Sequence, residues 1–102
     1  MKREFAIETI RQNEAALRAL GVTRLDLFGS VARDEADGSS DIDIVADFNT
    51  PGLQGLAFLE RWEEIRRMLV EALRTDVDVV PYPLEEMSSM RAAIERDVVA
   101  VF

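Results

Sequence analysis

The stretch that most limits what this chain can fold into is Asp41 to Phe48, where Ile42, Ile44, Ala46 and Phe48 alternate with Asp41, Asp43, Val45 and Asp47. Side chains on an extended strand leave opposite faces at a period of two, so the segment predicts a strand with one apolar face and one acidic face. Asp76-Val77-Asp78-Val79-Val80 repeats the logic, with Val77 and Val79 on one side and Asp76, Asp78 and Val80 on the other. Pro81-Tyr82-Pro83 ends that run. Two strands that each need one face covered predict a small sheet with helices on a single side and carboxylates on the other.

The helices come from the remaining apolar periodicity. Ala6, Ile10, Leu17 and Leu20 predict an amphipathic helix over residues 3–20, stopped by Gly21 in a left-handed conformation. Arg24 to Gly29 reads as a strand and tight turn, with Ser30 capping a short helix over Val31 to Ala36. Asp37-Gly38-Ser39-Ser40 is a polar loop, and Asn49-Thr50-Pro51-Gly52 is a turn. Leu56, Leu59, Trp62, Ile65, Leu69 and Leu73 recur at helical spacing and mark the longest helix. A last helix, Leu84 to Arg96, would turn Leu84, Met87, Met90 and Ile94 to the core. Val98 to Phe102 is an apolar tail that can add an edge strand. The fold class is therefore α+β, two-layered, with a mixed sheet of three or four strands covered by helices on one face. At 102 residues the expectation is a single domain spanning 1–102.

Absences narrow the chemistry. The chain has no cysteine and no histidine, which excludes disulfides, thiolate nucleophiles, Ser-His-Asp triads and imidazole metal sites. A metal held by these side chains would meet oxygen alone, which favours hard cations such as Mg²⁺ or Mn²⁺. Twenty acidic against twelve basic residues give −8, so direct nucleic-acid binding across the surface is not expected. Glu4, Glu8 and Arg11 interrupt any apolar leader, and no run nears the roughly 20 apolar residues a bilayer requires. The expected location is cytoplasmic, without membrane contact.

Asp41 and Asp43 lie two apart on a strand, with side chains on one face about 6–7 Å apart along the chain. If Asp78 occupies a neighbouring strand, three carboxylates converge, and either their pKa values rise or divalent cations neutralise them. Asp26 and Asp47 read instead as solvated strand acids. Gly29-Ser30 lies at a strand-to-helix turn, where backbone N–H groups, the Ser30 hydroxyl and the Arg33 fork can meet an anion.

Gly29-Ser30, ten intervening residues, Asp41-Ile42-Asp43-Ile44 and the later Val77-Asp78-Val79-Val80 resemble the signature of the DNA polymerase beta-type nucleotidyltransferase superfamily. Leu27-Phe28-Gly29-Ser30-Val31-Ala32-Arg33 through Ser40 to Val45 is similar to the minimal nucleotidyltransferases, commonly antitoxin partners of HEPN-domain toxins. The resemblance implies that Gly29, Ser30 and Arg33 hold a nucleoside triphosphate, with Asp41, Asp43 and Asp78 as catalytic acids and ligands of two Mg²⁺ ions. It further implies ATP as substrate and a hydroxyl on a HEPN toxin as acceptor of AMP. One departure is Asp34, where the family often has glycine, which puts a further negative charge near the phosphate end. The rival reading is a non-enzymatic module that binds nucleotide or neutralises its partner by docking. Oligomeric state is left open.

Overall fold

A computed structural model of the chain describes residues 1–35, 41–48, 52, 54–81 and 98–102, without the side chains of Phe48 and Pro81. In chain order the elements are α1 (Arg3–Gln12), α2 (Glu14–Ala19), β1 (Val22–Phe28), α3 (Gly29–Ala32), β2 (Ile42–Phe48), α4 (Leu56–Leu73), β3 (Val77–Pro81) and β4 (Val99–Ala100). The four strands form one sheet in the order β3-β2-β1-β4. β1 runs antiparallel to β2 and β4, and β2 runs parallel to β3, so the sheet is mixed as expected. The predicted helix over 84–96, the loop over 37–40 and the start of the turn at 49–51 lie outside the described residues.

Register is set by burial. Leu25 and Leu27 of β1, Ile42, Ile44 and Ala46 of β2, and Val77 and Val79 of β3 are buried with Ala6, Ile10, Leu17, Ile65 and Leu69 from the helices. Each fully buried isoleucine or leucine is worth about 1.5–3 kcal/mol over exposure. A one-residue slip of β2 would turn Ile42 and Ile44 out and bring the aspartates in, so packing energy fixes which face Asp43 occupies.

The structure departs from the expected elements in four places, one of them the short helix expected from Val31, which spans Gly29–Ala32. The first helix breaks at Asn13, whose Nδ2 donates to the Thr9 carbonyl at 2.9 Å and takes a last-turn acceptor. Leu56 and Leu59, expected in the core, are 71% and 54% exposed. Both lie in the first turn of α4, whose buried residues, Ile65, Leu69 and Leu73, all come later in the helix. Val45, on the otherwise acidic face, is buried at 1% exposure, outside the main core. The C-terminal tail forms the expected edge strand, and Gly21 takes the left-handed conformation at φ 104°. Among the described residues no helix is long and apolar enough to cross a membrane.

Candidate active site

Asp43 is the residue around which the site is built. On β2 it stands opposite Phe28 of β1 and opposite Asp78 of β3. Residues paired across strands project to the same face with Cβ atoms about 4.5–5.5 Å apart. Asp41 lies two residues earlier, just before β2 begins. Gly29 follows Phe28 with φ 72°, and a Cβ there would overlap Asp43 Oδ2 and stand 3.3 Å from its Cγ. Glycine is thus required both for the backbone conformation and for the carboxylate's approach. The turn at 29 and the acids at 43 and 78 are adjacent, as the sequence requires for a common site.

Electrostatics tie these groups together. The Asp43 carboxyl titrates above its usual 3.8, because burial disfavours its charge and because Asp78 and then Asp41 repel it, while Arg33 pulls the other way. Asp43 is half-buried, and Asp41 and Asp78 are exposed on either side.

Ser30 lies inside the first turn of α3, not at its cap. The cap position is Phe28, and no side chain caps the helix. Arg33 follows the helix, its Nε 3.0 Å from Glu35 Oε2 in an exposed pair. Asp34 takes φ 60°, the region in which glycine is at ease. Its Oδ1 accepts from the Arg3 backbone N–H at 2.9 Å, so that oxygen is engaged with the start of α1.

Among the described residues no three acidic side chains are gathered closely enough to cage a metal ion as they stand. The donor chemistry nevertheless fits a hard divalent cation. Asp43 carries a desolvated charge set against two like charges, its two carboxylate neighbours are exposed, and Mg²⁺ takes one or two carboxylates and keeps waters.

The sequence reading missed Asp26. Expected to be solvated, it is 1% exposed and faces Val45 on β2 and Ala100 on β4. Because β4 pairs with the outer edge of β1, β1 is an inner strand and its middle has neighbours on both sides. Arg24 Nε lies 3.0 Å from Asp26 Oδ2 as an ion pair. Burial raises the Asp26 pKa, and Arg24 partly offsets it. The pairing of Val98–Phe102 with β1 was the one available sequence signal.

Comparison with known proteins identifies the family and the fold. Residues 10–101 match the family model of the nucleotidyltransferase domain. A structure described as a minimal nucleotidyltransferase superposes with TM-score 0.66 at 28% identity, covering 97% of this chain and 95% of that one. A toxin–antitoxin crystal structure with AMP-PNP gives TM-score 0.68 at 24% identity, covering 94% of this chain and 72% of that one. A Shewanella oneidensis complex of a tri-AMPylated HEPN toxin with an MNT antitoxin gives 0.61 at 22% identity, covering 98% and 71%. No curated protein sequence matches the chain.

Proposed function

The chain belongs to the nucleotidyltransferase domain family, and from that premise we propose that it transfers AMP from ATP to a hydroxyl on a HEPN-type partner protein. The observation that carries the reading is the alignment of Asp43 with Asp78 across β2 and β3, with Gly29 against the Asp43 carboxylate. The AMP-PNP complex and the AMPylated HEPN toxin among structures of this fold support the nucleotide and the acceptor class.

In the reaction the acceptor oxygen bonds to the α-phosphorus, the bond from that phosphorus to the bridging oxygen breaks, and pyrophosphate leaves. Most of the catalysis is positioning and charge neutralisation. Asp41, Asp43 and Asp78 would hold Mg²⁺, which when bound neutralises phosphate charge and acidifies the acceptor hydroxyl. Asp78, exposed at the rim, would accept the hydroxyl proton. The Gly29–Ser30 amides, the Ser30 hydroxyl and the Arg33 guanidinium would bind the β- and γ-phosphates and stabilise the departing pyrophosphate.

Incubation of the protein with α-labelled ATP, Mg²⁺ and a HEPN-type protein encoded beside it tests the reading. Label should move to the partner, and Asp41→Asn, Asp43→Asn and Asp78→Asn should each abolish transfer. A variant with near-normal transfer would remove its residue from the catalytic set, and no transfer by the wild type would leave a binding or docking module.

A further inference from the structure

α3 has four residues, too few to stabilise itself, so the geometry of the turn it carries depends on what holds its ends. Its C-terminal end is closed by two backbone bonds, Glu35 N–H to Ser30 O at 2.8 Å and Asp34 N–H to Val31 O at 3.1 Å. With Asp34 left-handed at φ 60°, these form the six-to-one and five-to-two pair of a Schellman motif, in which glycine usually takes the left-handed place. What aspartate adds is a carboxylate. α1 lacks a cap of its own, since Lys2 at its N-cap position makes no side-chain bond. Asp34 Oδ1 supplies that cap from 31 residues away by accepting from Arg3 N–H. Arg3 answers with Nη1, which donates to Ala32 O at 3.1 Å, one of the carbonyls that the end of α3 leaves unpaired. Each helix end therefore satisfies the other, and the two anchored residues, Ala32 and Asp34, flank Arg33.

We infer that Asp34 is a positioning residue: with Arg3 it clasps the start of α1 to the end of α3 and so holds Ser30 and Arg33 in the orientation that receives the nucleotide phosphates. This rests on the proposed nucleotide site, and it assigns a role to a side chain that touches no substrate. Glycine at this position would keep the turn's backbone but release α1. Asparagine would keep an acceptor oxygen and tolerance of the left-handed region.

The test compares the full chain with Asp34→Gly, Asp34→Asn and Arg3→Ala by MgATP titration calorimetry, amide hydrogen exchange over residues 29–35 without nucleotide, and thermal unfolding. Asp34→Gly should fold, because glycine is at home at that φ. Its MgATP affinity should fall about tenfold, the equivalent of one charge-assisted hydrogen bond, with faster exchange over 29–35. Asp34→Asn should stay within about twofold, and Arg3→Ala should lie between, since its backbone N–H remains. Unchanged affinity in Asp34→Gly would overturn the inference whatever the melting temperature does, as would an equal loss in Asp34→Asn. If the wild type binds no MgATP, the proposed function fails, and exchange alone decides the clasp: faster in Asp34→Gly and restored in Asp34→Asn upholds it, and unchanged exchange overturns it.

Discussion

Asp43 and Asp26 project from the same face of one sheet, in adjacent rows of adjacent strands, and burial raises the pKa of both. They differ in what surrounds them. Asp26 has Val45 and Ala100 beside it and Arg24 in ion-pair contact, so its charge is partly balanced inside the fold. Asp43 has two further carboxylates beside it, whose repulsion Arg33 offsets in part, and Gly29 against its carboxylate. Desolvation alone therefore does not mark a functional acid. The mark is desolvation combined with like charges that a bound cation would reconcile.

The largest effect expected from this contrast is on transfer. Asp43→Asn should reduce it about a thousandfold or more, the scale of losing a preorganised charge at the reacting phosphate, while Asp26→Asn should leave it within about threefold. Label transfer from ATP checks both, and an equal loss in the two variants would erase the distinction. Next is Gly29→Ala. Left-handed strain and overlap with Asp43 Oδ2 together should cost about 3 kcal/mol, measured by urea unfolding, and MgATP binding should be lost with it. A stable variant that still binds would detach Gly29 from the acid.

Asp26→Asn should have a smaller effect of opposite sign. Replacing a buried carboxylate whose ionisation is opposed by burial, and whose ion-pair partner Arg24 is 55% exposed, should stabilise the protein by about 1 kcal/mol at neutral pH, or roughly 4–8 °C. Because the folded pKa lies above 3.8, Asp26 favours folding when protonated, and that contribution is lost as pH rises through the raised value. The two melting curves should thus converge below about pH 4 and separate above it. A constant offset would show that charge is not the cause. The smallest effect is Leu59→Gln in the exposed first turn of α4, expected within about 0.5 kcal/mol in the same unfolding assay. A loss of core magnitude would contradict its exposure.

The parts of this account that could be read from the sequence are those in which a local period meets a single face. The alternation at 41–48 and 76–80 assigned each strand its apolar and acidic faces, whereas the row that unites Asp43 and Asp78 depends on which strands pair and is visible only in the structure. Leu56 and Leu59 misled because helical periodicity contains no information about where along a helix its packing begins, and burial in α4 begins at Ile65. Asp26 misled because its burial depends on β4, a two-residue strand from the far end of the chain. The Arg3–Asp34 clasp joins residues 31 apart through a backbone N–H, for which residue type leaves no trace.

The measurement that bears most directly on the central claim is thermal unfolding of the wild type and Asp43→Asn, each with EDTA, with Mg²⁺ and with MgATP. If the three carboxylates are an unbalanced site for a divalent cation, Asp43→Asn should be the more stable protein in EDTA, and MgATP should stabilise the wild type alone. Equal stabilisation of both proteins by MgATP, or a less stable Asp43→Asn in EDTA, would contradict it.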